Sequence, residues 1–401
     1  MKCVFNENVT KTIRINKILD YITETQETVV QEDIDNSKTI NLEFSAYETK
    51  EYILYVDFEY NYIWLKPGEN YIIEINPKSN NSININPFQQ DFLDITFSDD
   101  PSKINTQIKN FDANYDFFII NNFNFNPNHD IAINNKYQDS ILNNIQNYNS
   151  EIVKNHIIYS FASVKILYDD KPSKEFIDKY FTNKPILYYH PTYISLFKTI
   201  NKQTNYFIND VSTQNNELSE LAKLELNYRR FFNNQYNKNT IINNIKKIAS
   251  TSKSTQNKVI INNILSEFYN LKEGSIIPDA KIIVNNYETT LHQEINNLGS
   301  TKNKCLLFYN SSFDFSKNFI NTLCENKNWE EKYTIIAIDL KLRNTDNLTK
   351  NFCKSNNIVF CKAKDVFDLH NRFNIRNYPY IIIIDKNNKI IKVDFPYDNF
   401  L

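Results

Sequence analysis

The sequence predicts a multidomain α+β fold with three parts: an N-terminal antiparallel β-sandwich over residues 1–95, an all-α middle region over 100–270, and a C-terminal α/β domain over 271–401. Three changes in residue pattern predict this division. Short runs of β-branched and aromatic residues come first, apolar residues at three- and four-residue steps follow, and short apolar runs then alternate with helical patterns. A chain of 401 residues is long enough for two or three domains.

The first segment contains short strand candidates separated by turn signals. Residues 52–58, 62–65 and 71–75 are rich in β-branched and aromatic side chains, which are favoured in strands. Pro67 and Gly68 separate the second candidate from the third. Strands at this spacing predict a small antiparallel sandwich.

The middle segment has the period of amphipathic helices. Ile104, Ile108, Phe111 and Tyr115 form the first apolar stripe. Later helical patterns cover residues 141–148, 152–164, 218–232 and 241–271. Pro191 is interpreted as part of a turn between helices.

The third segment alternates between strand and helix patterns. Strands are predicted at 282–284, 305–309, 333–339, 358–360, 380–385 and 390–393, and helices at 315–324, 348–353 and 367–373. The last two strands form a closing hairpin across residues 386–389. This order of elements is typical of a thioredoxin-type α/β domain.

Three short motifs in this segment carry a family resemblance. Residues 274–279 read G-S-I-I-P-D and resemble the G-x-x-x-P-D opening of TlpA/ResA-like and peroxiredoxin-like (AhpC/TSA-type) thioredoxin domains. Residues 306–311 (L-L-F-Y-N-S) take the place of the strand that ends in F-W-A-S in that family. Residues 377–385 resemble its cis-proline loop and final strands.

The upstream sequence is similar to bacterial envelope proteins that carry this domain at their C-terminus. Residues 65–73 resemble the v-x-P-G-x-x-Y-x-i stretch of their β domain, and residues 184–193 resemble part of their helical segment. The resemblance implies export, usually as a lipoprotein or a periplasmic protein. The expected location is therefore the periplasm or cell envelope.

The chain departs from the family at the catalytic motif. Aligning F-W-A-S-W-C-x-x-C with Phe308 onward places the two cysteines at Phe313 and Ser316. Thiol-disulfide exchange requires a thiolate at the first position and a second thiol to resolve the mixed disulfide. Neither residue supplies one, so the sequence favours a redox-inactive protein without catalytic residues.

The binding groove of the family is the part that this sequence retains. The resemblance implies a cis bond before Pro379, where the backbone of Tyr378 could pair with an extended peptide. Phe313, Phe315, Tyr378 and Tyr380 would form an aromatic rim, or would simply fill the vacated groove. We therefore expect a protein or peptide partner, of unknown identity.

The cysteines leave two further hypotheses open. Cys305 or Cys324 could serve an atypical single-cysteine thiol-disulfide oxidoreductase, and Cys353 could pair with Cys361 in a structural disulfide. A third hypothesis is a structural or scaffold lipoprotein that binds through its β domain. None of the five cysteines lies in a C-x-x-C motif.

Composition argues against several other functions. The net charge is −2 with no basic stripe, which disfavours nucleic-acid binding. Three glycines cannot form a phosphate-binding loop, and no Cys or His spacing indicates a metal site, so no cofactor or metal is expected. The first residues lack the apolar region of a signal peptide, and no stretch approaches the ~20 apolar residues of a membrane span. Membrane attachment would require a lipid anchor that is not visible in this sequence.

Overall fold

The structure is a computed structural model that describes residues 1–76, 91–148, 150–168, 172–209, 216–233, 235–299, 302–326, 328–342, 357–375 and 377–394. It confirms a mixed fold with many helices and two sheets. The chain divides into two compact units: the first ends at Leu265 and the second begins at Ser266. The β part and most of the helical part thus share one unit, whereas the division into three domains stays a prediction.

Six described strands form the sheet of the first unit. They are β1 (Lys2–Ile18), β2 (Gln26–Asn41), β3 (Lys50–Val56), β4 (Glu59–Leu65), β5 (Ile72–Asn76) and β6 (Asp94–Asp99). The strand order is β4-β3-β1-β5-β6, and β2 pairs with β1. The three strands predicted between residues 52 and 75 are present as β3, β4 and β5.

The purely antiparallel pairing predicted for this segment is wrong. The pair β1–β5 is parallel, with Lys2 opposite Ile72 and Phe5 opposite Ile75. All six strands belong to one hydrogen-bonded sheet, and its arrangement as a sandwich of two facing layers stays a prediction. The reason for the mixed pairing is the length of β1, whose first residues pair with β5 and whose last residues, from Ile13, pair with β3.

Nine described helices follow in the middle of the chain. They are α1 (Ile104–Asn122), α2 (Pro127–Leu142), α3 (Glu151–Tyr168), α4 (Lys174–Tyr180), α5 (Pro191–Thr204), α6 (Tyr206–Asn209), α7 (Asn216–Phe231), α8 (Lys238–Thr251) and α9 (Thr255–Tyr269). A short 3₁₀ turn spans Ile145–Asn147. Pro191 begins α5 instead of marking a turn, because proline at the first helical position loses no hydrogen bond.

The helix α1 is attached directly to the edge of the first sheet. Trp64 of β4 packs in one cluster with Phe111 of α1 and Val153 of α3. The buried Asn105 side chain accepts the Trp64 N–H at 2.6 Å and donates to the Trp64 carbonyl at 2.8 Å. It therefore satisfies both backbone groups of an edge-strand residue in the way that another strand would.

The second unit contains a seven-stranded sheet. Its described strands are β7 (Lys281–Val284), β8 (Tyr287–Thr290), β9 (Asn303–Tyr309), β10 (Tyr333–Asp339), β11 (Ile358–Ala363), β12 (Tyr380–Ile384) and β13 (Ile390–Val393). Their order is β13-β12-β9-β10-β11-β7-β8. The strands β9, β10 and β11 are parallel, and the two pairs β12–β9 and β12–β13 are antiparallel.

Three described helices accompany this sheet: α10 (Leu291–Asn297), α11 (Asp314–Glu325) and α12 (Val366–Phe373). A 3₁₀ turn spans Asn328–Glu331. Phe319, Ile320 and Leu323 of α11 are buried in one cluster with residues of the central strands. The helix predicted at residues 348–353 lies outside the described residues. Within the part of the chain that the structure describes, no helix is long and apolar enough to cross a membrane.

Candidate functional site

The candidate site lies where β9 ends and β12 begins. The two strands are antiparallel neighbours, with Phe308 opposite Tyr380. The residues that follow β9 therefore meet those that precede β12. The ring centroids of Phe313 and Tyr378 are 5.9 Å apart, and the Tyr378–Pro379 peptide bond is cis.

The first turn of α11 occupies the position predicted for the lost cysteine pair. Phe313 is its extended N-cap residue, and its side chain makes no capping hydrogen bond. Ser316, at the third helical position, is 1% exposed, and its hydroxyl has no hydrogen-bond partner among the described residues. Activation of a serine as a nucleophile requires a base hydrogen-bonded to its hydroxyl, and no described residue supplies one for Ser316.

A hydrogen-bonded loop fixes the position of Phe313. The Ser311 N–H donates to the buried Asp339 carboxylate at 3.0 Å, and the Lys341 N–H donates to the same oxygen at 3.1 Å. The Ser312 N–H donates to the Asn310 side chain at 2.9 Å. Burial raises the pKa of Asp339, and these N–H donors act in the opposite direction.

Tyr378 is held from the side of α12. Its hydroxyl is hydrogen-bonded to His370 Nε2 at 2.5 Å. Burial raises the pKa of Tyr378 well above its usual range, so the phenol stays neutral at ordinary pH. The Tyr378 ring therefore contacts both Phe313 and His370, and its hydrogen bond to His370 restrains it at the site.

The remaining predicted groove residues have different environments. Phe315 is 55% exposed on the first turn of α11. Pro379 is buried at the start of β12. Tyr380 is 4% exposed and packs toward Phe308, with ring centroids 6.3 Å apart. Tyr380 therefore belongs to the core of the sheet and is wrong as a rim residue, because all five residues of β12 are buried and both faces of the strand are covered.

Sequence reasoning did not identify the residues that support this site. His370, Asn310 and Asp339 are spread over 61 positions of the chain, and no local motif links them. Of the three, only His370 could have been connected with the site from the sequence, since it lies eight residues before Tyr378 on a predicted helix. Only the sheet order brings the three close to Phe313 and Tyr378.

The described cysteines offer no accessible free thiol near the site. Cys3, Cys305 and Cys361 are free and buried, and burial raises the pKa of each thiol. Cys361 is free, so the disulfide with Cys353 that the sequence left open does not form. Cys324 is disulfide-bonded, and its partner lies outside the described residues.

The described residues also contain no group of three or more His, Cys, Asp or Glu side chains placed to hold a metal ion. The site thus consists of an aromatic pair and the hydrogen-bonded side chains that support it. They contain no group poised to transfer electrons or to attack an electrophile.

Several similar solved structures are thioredoxin-like proteins of Bacteroides. A thioredoxin-like protein from Bacteroides caccae has 11% identity, with 60% of this chain and 91% of that chain covered, at a TM-score of 0.34. The thioredoxin domain of a thiol-disulfide oxidoreductase from Bacteroides vulgatus has 20% identity, with 32% and 92% covered, at a TM-score of 0.25.

A thiol:disulfide interchange protein from a Bacteroides species has 21% identity, with 32% of this chain and 86% of that chain covered, at a TM-score of 0.26. No protein-family model matches the chain. No curated protein matches it either. Because these identities and TM-scores are low, we infer the chemistry of the site from the residues of this chain alone.

Proposed function

We propose that the second unit is a redox-inactive, TlpA-like thioredoxin domain that binds an extended protein or peptide segment. The observation that carries the proposal is the pairing of Phe313 with Tyr378 at the mouth of β9 and β12, where a catalytic domain would hold its thiols. Phe313 has no ionisable group, and the buried Ser316 hydroxyl has no hydrogen-bond partner in the part of the chain that the structure describes. The site keeps an apolar surface but has no thiol at the two positions that disulfide exchange would require.

The proposed binding surface consists of the restrained pair Phe313 and Tyr378 and of the exposed residue Phe315. The hydrogen bond with His370 restrains Tyr378, and the loop from Asn310 to Ser312 restrains Phe313. Phe315 adds an exposed aromatic ring on the same helical turn. Aromatic side chains that are already ordered lose little conformational entropy on binding, which suits them to contact a partner chain.

A peptide-binding experiment tests this role. The full chain is applied to an array of immobilised 12-residue peptides, and the bound sequences are re-measured with variants. We expect Phe313→Ala and Tyr378→Ala to weaken binding at least about tenfold, the effect of losing one well-packed aromatic contact. Tyr287→Ala is the control, since Tyr287 is 78% exposed on the edge strand β8. Binding that survives both groove substitutions would contradict the proposal.

The second proposal is an atypical thiol-disulfide oxidoreductase. It requires a reactive thiol, whereas Cys305 is 1% exposed and Cys324 is already in a disulfide. Reduction of insulin by dithiothreitol distinguishes the two proposals. We expect no acceleration by the full chain, and turnover that disappears in a Cys324→Ser or Cys305→Ser variant would decide for the enzyme.

The disulfide at Cys324 also supports a location in the cell envelope. Stable structural disulfides form mainly in oxidising compartments such as the periplasm. We propose that the chain functions there, attached to a membrane only if a lipid anchor exists. Trapping of thiols in intact cells tests this: alkylation of Cys324 without prior reduction would contradict an oxidising location.

A further inference from the structure

Three helices of the first unit contribute to one chain of hydrogen bonds. His156 of α3 lies between Asp112 of α1 and Thr192 of α5. Its Nε2 is 2.6 Å from Asp112 Oδ1, and its Nδ1 is 2.9 Å from Thr192 Oγ1. With a neutral imidazole, Nε2–H donates to the carboxylate and Nδ1 accepts the threonine hydroxyl proton. This is the order nucleophile, base and orienting carboxylate.

The surroundings of His156 are mainly aromatic. Phe111 meets its ring edge to face, with centroids 5.8 Å apart, and the His190 ring lies 6.4 Å away. Burial lowers the pKa of His190 to about 4, and its Nε2 is hydrogen-bonded to the Ile152 carbonyl at 3.0 Å. His190 is therefore neutral at ordinary pH. Asp112, whose side chain is 46% exposed, is the charged partner of His156.

Thr192 lies at the second position of α5, directly after Pro191. The N–H groups in the first turn of a helix have no acceptor within that helix. The N-cap residue His190 makes no side-chain capping bond to them. Within the described part of the chain the N–H groups of Thr192 and Tyr193 have no hydrogen-bond acceptor, and they lie at the positive end of the helix dipole in the same helical turn as the Thr192 hydroxyl. Such donors stabilise the negative oxygen that forms when an acyl group is attacked.

We propose that Thr192, His156 and Asp112 form a hydrolytic site for small esters. Thr192 Oγ1 attacks the ester carbonyl carbon while its proton moves to His156 Nδ1. The ester C–O bond then breaks, and the alkoxide leaving group takes the proton from His156. Water next attacks the acyl-threonine, gives one proton to His156, and releases the carboxylic acid as the proton returns to Thr192. Asp112 is the positioning residue that orients the imidazole.

A small cavity lies beside Phe111, the ring that contacts His156, although Thr192, His156 and Asp112 do not line it. Phe111 lines this cavity of about 180 Å³, together with Asn110, Asn114, Tyr137 and Tyr148. This volume is well below the ~300–1,000 Å³ of pockets for drug-sized ligands. Acetate and butyrate esters, which have short acyl chains, are therefore chosen as the probes.

The test measures hydrolysis of p-nitrophenyl acetate and covalent labelling by a fluorophosphonate probe, both with the full chain. We expect labelling at Thr192 and loss of at least about 100-fold in kcat/KM for Thr192→Ala, the usual contribution of an activated nucleophile and base. Thr192→Ser should retain activity, because it keeps the hydroxyl. Asp112→Asn should lower kcat more than it raises KM.

Thr199→Ala is the matched control, since Thr199 lies on the same helix and its hydroxyl donates only to the Ser195 carbonyl at 2.9 Å. It should leave the rate unchanged. If Thr192→Ala hydrolyses the ester as fast as the unmodified protein, or if the probe labels another residue instead, the proposal is overturned. The three side chains would then serve only to join α1, α3 and α5.

Discussion

Restoring the missing thiol pair tests whether the site retains the geometry of a redox domain. The double variant Phe313→Cys/Ser316→Cys places cysteines at the N-cap and third positions of α11. Residues three apart on a helix have Cβ atoms ~5–6 Å apart, close enough for a disulfide after a small adjustment. The first thiolate would gain the stabilising field of the helix N-terminus, which lowers a cysteine pKa from ~8.5 to between ~3.5 and ~7.5 in such motifs.

The cost in stability is moderate. Removing the ring of Phe313, which is partly buried against Tyr378, costs about 2–3 kcal/mol of apolar burial and aromatic contact. Replacing the unpartnered hydroxyl of Ser316 by a thiol returns about 1–2 kcal/mol, since a thiol is less costly to bury. The reduced double variant should therefore unfold with a free energy only about 1 kcal/mol lower than the unmodified protein.

The assay combines a redox titration with insulin reduction. We expect the double variant to form a reversible disulfide and to reduce insulin, while Phe313→Cys alone does not. A pair with the same spacing, Phe315→Cys/Asn318→Cys, lies further along the helix, where both side chains are exposed, and should remain inactive. A folded double variant that never forms the disulfide would refute our account of this site.

Three further predictions concern stability and thiols. Burial raises the pKa of Glu51 from 4.5 to about 7, so the folded chain holds a proton that the unfolded chain releases. Denaturant titrations should therefore show about 3 kcal/mol lost as pH rises across this interval, and Glu51→Gln should abolish the loss. Asn105→Ala should cost about 2–4 kcal/mol in the same titration, because it strands the Trp64 N–H and carbonyl. Alkylation in denaturant without reductant should leave Cys324 unmodified and label the free cysteines Cys3, Cys305 and Cys361.

The parts of the fold that the sequence predicted are those with a local burial pattern. The apolar stripe from Ile104 to Tyr115 is α1, and the apolar run at 305–309 lies within β9. By contrast, β2 has mostly exposed side chains, with Ile34 as its one fully buried residue. Its place in the sheet depends on backbone hydrogen bonds to β1, which leave no hydrophobic period in the sequence.

The candidate site likewise has features that the sequence predicted and features that it could not predict. The absence of a thiol at Phe313 and Ser316 follows from residue identity. The burial of Tyr380 was missed, because the sequence could not show that both faces of β12 are covered. The bond between His370 and Tyr378 was also missed, since it depends on the packing of α12 beside the strand.

By itself, the sequence determined that a C-terminal α/β domain would lack a cysteine pair at the expected positions, because phenylalanine and serine contain no sulfur and cannot supply a thiol in any fold. Tertiary structure alone decided that Phe313 faces Tyr378, that Cys324 is paired while Cys305 and Cys361 are not, and that His156 joins Asp112 to Thr192. These contacts join residues that are distant along the chain. Their formation depends on strand order and helix packing, which set the distances between side chains.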